Sequence, residues 1–364
     1  MRAVRLHAPG EPLRLEQMPL PEPSGTEIRV RVAGCGVCHT DLHIADGTQT
    51  RVELPVTLGH EVAGWIDAIG PDAERPLRRM RLRPGDAVVV HGGWGCGECG
   101  ECLGGVEQRC ERSRAPGFQA DGGYAEAMLV PHPRHLVGLG RLDPVRAAPL
   151  ADAGITPYRA IRRAERWLRP AGRVLVIGCG ALGQFALQLL RLVPDEGRDM
   201  FVVVRELSPA RLERASALGA DVGLLDGEPD LSLEALGRPA DVVLDFVGTD
   251  STLAHAAAVV APDGLVVLVG EAGGSLPFGF DAVPVESWLT TVAWGSREDL
   301  REVVRLAQRG RLRWDVETLP LEEAATAHER LRAAEVNGRL VLVPSGDHSP
   351  KMRPKMLFFS ERRT

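Results

Sequence analysis

RVLVIGCGALG, running from Arg173 to Gly183, decides the fold. A short, mostly apolar strand leads straight into G-x-G-x-x-G, and a helical run follows to Leu192. Strand, tight turn and helix together are the context in which that glycine spacing holds a dinucleotide. Gly178 permits the turn, Gly180 lets backbone approach a pyrophosphate, and Gly183 lets the helix pack on the strand. Phosphate then rests at the positive end of the helix. Glu206 stands twenty-three residues beyond Gly183, at the end of the next strand. A carboxylate there accepts hydrogen bonds from the adenosine ribose and repels a 2'-phosphate, so NAD is expected over NADP. The adjacent Arg205 argues the other way, because a guanidinium welcomes that phosphate. Cys179, inside the fingerprint, reads as a small filler.

Beyond the fingerprint come strand Phe201–Arg205, helix Ser208–Leu218, strand Asp241–Phe246, helix Ser251–Val260 and strand Leu265–Gly270. This alternation predicts an α/β fold with a doubly wound parallel sheet. The first 148 residues differ: they are rich in Gly and Pro, with short strand-like runs such as Glu27–Val32 and Ala87–Val90. That pattern predicts a barrel-like all-β domain. The regular alternation loosens near Trp288, and Leu321–Val343 is expected to return to the β-rich part. The expected division is a β-rich domain of residues 1–148 with 288–345, and a nucleotide-binding domain of residues 149–287. Residues 346–364, which hold the only two lysines, Lys351 and Lys355, read as a poorly ordered tail.

A chain of 364 residues has room for two cores. Its net charge of -6 gives no support to nucleic-acid or membrane-surface binding. No apolar run is long enough to span a bilayer. The opening MRAVRLHAPGEPLRLEQ lacks the apolar core of a signal peptide. Seven unevenly clustered cysteines fit a reducing cytoplasm with metal ligands better than a disulfide framework.

Four of those cysteines, Cys96, Cys99, Cys102 and Cys110, are spaced C-x2-C-x2-C-x7-C. Four thiolates at that density suit a closed structural zinc site, which leaves no coordination position open. Two disulfides in a secreted chain are the competing reading, and nothing else in the sequence suggests secretion. A second concentration of chemistry begins at Cys38, in C-H-T-D-L-H, and continues at Gly59, His60 and Glu61. A catalytic zinc needs three protein ligands and one open position, and Cys38 and His60 are its first candidates.

C-G-V-C-H-T-D-L-H, then G-H-E-V-A-G, then the four-cysteine lobe and the glycine fingerprint occur in this order. Together they resemble the zinc-containing alcohol dehydrogenases of the medium-chain dehydrogenase/reductase family, over about Met1–Pro344. The resemblance implies a GroES-like β-barrel catalytic domain, a Rossmann domain and a cleft between them. It makes Cys38 and His60 zinc ligands, Glu61 an occasional extra ligand, and Asp41 the carboxylate that orients His60. Many members place a cysteine just before the cofactor domain; here Asp152 stands there, as in certain bacterial secondary-alcohol dehydrogenases. Aspartate oxygen binds zinc well, although a helix N-cap would also explain Asp152.

The resemblance further implies a proton relay from substrate oxygen to Thr40, through the nicotinamide ribose, to His43 and solvent. His39 and Arg339 would lie near the pyrophosphate, Arg211 beside the adenosine ribose, and Thr156 near the nicotinamide. Trp94 and Trp294 are candidates for the substrate wall or for core. Extra residues around Asp72–Met80 and Val193–Asp199 read as longer surface loops. The implied activity is zinc-dependent hydride transfer between NAD and a primary or secondary alcohol, giving aldehyde or ketone. It needs two Zn2+ per chain, one catalytic and one structural. A polyol or glutathione-adduct dehydrogenase is the alternative within the family. A zinc-stabilised NAD(H) sensor is the alternative outside enzymes, and the Cys38, His60, Asp152 and Thr40 set argues against it. The family is usually dimeric or tetrameric, so a homo-oligomer is expected.

Overall fold

The computed structural model describes residues 1–193, 199–226 and 232–344. The expected tail lies outside the described residues, as does most of the Val193–Asp199 loop. Six parallel strands form one sheet, in the order Val222–Leu225, Phe201–Glu206, Arg173–Ile177, Ala240–Asp245, Val260–Leu268 and Trp288–Thr291. Arg173–Ile177 is central, and the order runs outward on both sides of it. Its C-terminal end, where the fingerprint begins, is therefore the switch point at which such sheets bind ligands. Val174, Leu175 and Val176 are buried, which explains why this strand is continuously apolar rather than alternating. Gly178 has φ +85°, and a Cβ on Gly183 would lie 2.2 Å from the Gly178 carbonyl oxygen. Both positions thus require glycine, one for the turn and one for the approach of helix Ala181–Leu192.

Two edge strands of this sheet were not legible in advance. Val222–Leu225 is half exposed, and Trp288–Thr291 is mostly exposed, so neither carries a buried apolar signal. The second corrects the expected division at residue 288: Trp288–Thr291 pairs with Val260–Leu268 and belongs to the parallel sheet.

A second sheet is mostly antiparallel and runs Val316–Pro320, Arg339–Val343, Ile28–Gly36, Glu61–Ile69, Ala87–Val90, Leu136–Gly138. Ala127–Val130 also pairs with Ile28–Gly36. Arg339–Val343 pairs with the Cys35–Gly36 end of its neighbour, which brings the far end of the chain beside Cys38. Asp72–Met80 departs from the expected surface loop. Helix Glu74–Arg79 lies there, anchored by buried Ala73 and Leu77 one helical turn apart.

Helix Ile155–Ala164 connects the two parts and packs against both Ala181–Leu192 and Arg297–Gln308. One buried cluster spans them, from Ala63 and Val89 through Ile161 to Leu187 and Val204. Leu187→Ala should therefore cost about 2–5 kcal/mol in a urea unfolding curve. Leu103→Ala, at a side chain 77% exposed, should stay within about 0.5 kcal/mol.

Candidate metal centre and dinucleotide site

Cys38 follows strand Ile28–Gly36 and precedes helix His39–Asp46. The helix starts there because Asp41 Oδ2 accepts the Cys38 backbone N–H at 2.9 Å. His60 lies just before strand Glu61–Ile69, and Asp152 ends the 3-10 turn Ala148–Ala151. Three distant segments thus deliver three donors to one buried place. Cys38 Sγ lies 3.5 Å from Asp152 Oδ2, and His60 Nε2 lies 3.7 Å from the same oxygen. The ligand atoms of all three lie within 4.8 Å of one another. Zinc bonds of about 2.0–2.3 Å in a tetrahedron separate ligand atoms by about 3.3–3.8 Å, so this S, N, O set fits zinc.

Asp152 does not cap a helix N-terminus; Gly154 occupies that position on Ile155–Ala164. Its Oδ1 accepts the Thr156 hydroxyl at 2.7 Å, leaving Oδ2 for Cys38 and His60. Burial alone would raise the Asp152 pKa, but His60, Arg339 and Thr156 bring it down to about 2. Thr156, expected near the nicotinamide, is buried and holds Asp152.

Asp41 is fully buried, with Oδ1 3.4 Å from His60 Nδ1. Burial disfavours charge on His60, yet Asp41 and Asp152 hold its pKa well above the ordinary value. A metal at Nε2 displaces the proton that these carboxylates attract. Tyr124 donates its hydroxyl to Asp41 Oδ2 at 3.2 Å, and His328 Nε2 lies 3.3 Å from the Tyr124 oxygen. Sequence reasoning missed both residues. They stand 83 and 204 positions from their partners, and no local spacing reports such a pairing.

Glu61 and Arg339 form a buried two-pronged ion pair, with Arg339 Nε 2.8 Å from Glu61 Oε2. Glu61 also accepts the Ala153 N–H at 3.0 Å, next to Asp152. Arg339 lies 3.6 Å from Asp152 Oδ2. Its guanidinium is therefore turned into the metal pocket, where the resemblance implied a pyrophosphate contact. Thr40 Oγ1 lies 3.6 Å from Cys38 Sγ at the edge of the pocket. His43 is half-buried one turn further along the same helix, and His39 is exposed.

At the fingerprint, Glu206 is buried and accepts the N–H groups of Cys179 at 2.6 Å, Leu207 at 2.9 Å and Ser208 at 3.0 Å. Its carboxylate ties the glycine loop to the end of the second strand. Arg205 is engaged by Asp226 at 2.6 Å. Arg211 lies 3.6 Å from Glu206 and donates to the Val336 carbonyl at 2.9 Å. Gln184, on the fingerprint helix, donates to the Asn337 carbonyl at 2.7 Å. The segment from Ala334 to Arg339 thus runs from the dinucleotide site to the metal triad.

Cys96, Cys99, Cys102 and Cys110 also bring their sulfurs within 4.8 Å. The Cys96–Cys102 sulfur separation is 3.8 Å, close to the tetrahedral edge for zinc–sulfur bonds of about 2.3 Å. All seven cysteines are free, so the disulfide reading fails. Backbone hydrogen bonds at Glu98 and Cys99 lower the Cys96 thiol to about 6, which favours the thiolate a metal needs. Trp94 is core, its indole N–H on the His91 carbonyl at 2.7 Å. Trp294 is half-buried, with its ring centroid 6.0 Å from that of His60 and 5.8 Å from that of Phe118.

The alcohol dehydrogenase GroES-like domain family matches residues 24–140, and the zinc-binding dehydrogenase family matches residues 218–342. The chain is 36% identical to an NAD-dependent alcohol dehydrogenase of Sulfurisphaera tokodaii, covering 94% of this chain and all of the relative. It is 34% identical to a D-arabinose 1-dehydrogenase (NADP(+)) of Saccharolobus solfataricus, covering 94% and 97%. The crystal structure of the alcohol dehydrogenase from Aeropyrum pernix superposes with a TM-score of 0.86 at 35% identity, covering 94% of this chain and all of that one. These similarities do not favour the NAD(H)-sensor reading or the polyol and glutathione-adduct alternatives. With two family matches flanking the fingerprint and whole-length relatives above 30% identity, the chain belongs to the zinc-binding dehydrogenases that carry an alcohol dehydrogenase GroES-like domain.

Proposed function

We propose that the protein oxidises primary or secondary alcohols with NAD and reduces the matching aldehydes or ketones. The observation that carries this reading is the buried Cys38, His60, Asp152 set, joined to the dinucleotide fingerprint by the segment Ala334–Arg339. Zinc held by those donors supplies the Lewis acidity that lowers an alcohol's pKa, and NAD supplies the hydride acceptor. Asp41 keeps the His60 proton on Nδ1, so that the Nε2 lone pair faces the metal. Arg339 neutralises Glu61 and balances the charge behind Asp152. Thr40, beside Cys38, takes the substrate hydroxyl proton, and His43 stands one turn on toward solvent. His39 is exposed near Arg211, which suits a neighbouring pyrophosphate.

NAD is preferred over NADP because Glu206 occupies the strand end and Arg205 is committed to Asp226. A second zinc, held by the four cysteines, is structural. Seven free cysteines support a cytoplasmic location. Self-association uses the parallel sheet's open edge at Trp288–Thr291. Trp288 on that edge is half-exposed, and Phe278 and Phe280, 78% and 94% exposed, lie in the segment leading into it.

NADH formation over a panel of primary, secondary, aromatic and polyol alcohols tests the activity. Turnover of simple alcohols with NAD at least about tenfold above NADP is expected; silence across the panel sinks the reading. Asp152→Ala should lose one zinc per chain together with activity. Thr40→Ala should keep both zincs while kcat falls about 10²–10⁴-fold. In sedimentation, Phe280→Asp should shift an oligomer toward monomer, and an unchanged mass would exclude that edge.

A further inference from the structure

Outside the metal triad and the four-cysteine lobe, the described residues hold one further cluster of metal-type donors, fully buried: His91, Glu107 and His135, with ligand atoms within 4.8 Å. Its surroundings oppose a cation. Glu107 already has Arg297 Nε at 2.7 Å and Arg134 Nε at 3.3 Å. Arg134 Nε also donates to His135 Nε2 at 3.2 Å, which leaves the His135 proton on Nδ1, facing the cluster. A dication would join two guanidiniums around a single carboxylate. The cluster is built to hold protein.

What it holds is the chain at Trp294–Arg297. His91 lies at the end of strand Ala87–Val90, and burial keeps it neutral, with a pKa of about 4. Its Nε2–H donates to the Gly295 carbonyl at 2.8 Å. Beside it, a Cβ on Gly92 would lie 2.8 Å from the Trp294 ring, so the indole rests on bare backbone. On the other side, Arg297 reaches the fully buried Glu107, which lies between Cys102 and Cys110. Arg134 ties the same carboxylate to the Gly95 carbonyl, just ahead of Cys96, at 2.6 Å. Trp294 itself has φ +50°, a conformation that side-chain-bearing residues adopt only when their surroundings enforce it. Its ring meets His60 edge-on and Phe118 at 66°.

We propose that His91 and Glu107 are positioning residues that fix Trp294 as the substrate-facing wall, so that the four-cysteine lobe sets the size of alcohol admitted. This rests on the alcohol dehydrogenase reading above. His91 grips the carbonyl next to Trp294, and Glu107 grips the first residue of helix Arg297–Gln308. The lobe therefore acts on selectivity through the backbone of residues 294–297, without touching substrate.

The test compares KM and kcat for 2-propanol and 1-phenylethanol in wild type, His91→Leu, His91→Gln, Trp294→Ala and the His91→Leu/Trp294→Ala double variant. Zinc is measured in each. His91→Leu should change the ratio of the two KM values by about tenfold while kcat on 2-propanol moves less than about threefold. His91→Gln, which keeps a donor, should restore much of the wild-type ratio. The double variant should match Trp294→Ala alone, because both lesions act through one wall. Should His91→Leu fail to fold, Arg297→Gln carries the same expectation. Equal effects on both alcohols, additive effects in the double variant, or a third zinc that disappears with His91 would each overturn the proposal. If wild type oxidises neither alcohol, it is the activity reading that has failed.

Discussion

A thiol and a carboxylate 3.5 Å apart, both buried, impose the constraint on which the rest of the site depends. Two potential anions withdrawn from water cost several kcal/mol each unless positive charge or donors compensate them. The surroundings of Cys38 and Asp152 meet that demand from every side. His60 sits on one edge, Arg339 stands behind, Thr156 donates to the free carboxylate oxygen, and a divalent cation fits the space between the donors. Each compensating group comes from a different segment, so the charge balance exists only when the mostly antiparallel sheet and the connecting helix are in place.

The candidate metal pocket and the glycine fingerprint are joined by packed helices and hydrogen bonds. Asp152 lies three residues before helix Ile155–Ala164, which packs on the fingerprint helix Ala181–Leu192. From the other direction, Arg211 and Gln184 hold the backbone at Val336 and Asn337, immediately before Arg339 enters the Glu61 pair. Two short routes thus connect the fingerprint with the Cys38, His60 and Asp152 set. That coupling suits a reaction in which a hydride must pass between groups held by different parts of the chain.

Legibility in the sequence followed the range of the interaction. The fingerprint was readable because strand, turn and helix are contiguous, and Gly178 and Gly183 answer local steric demands. The four-cysteine lobe was readable for the same reason. Cys38, His60 and Asp152 needed the order of motifs across the chain, since spacing alone does not bring residue 152 to residue 38. Tyr124, His328 and the His91–Gly295 contact were invisible: each pair spans more than eighty residues, and nothing in the local pattern names the partner. Arg339 was expected at the pyrophosphate, yet its guanidinium is turned toward Glu61. The two edge strands escaped because strand signals depend on burial, and edges have little of it.

In the proposed enzyme, S, N and O donors from three segments form an open zinc site distinct from the closed all-sulfur one. Anomalous X-ray scattering across the zinc absorption edge tests it most directly. Two peaks per chain are predicted, one enclosed by the sulfurs of Cys96, Cys99, Cys102 and Cys110, the other bonded to Cys38 Sγ, His60 Nε2 and Asp152 Oδ2. A single peak in the four-cysteine lobe, or a second peak that excludes Asp152, would contradict the account.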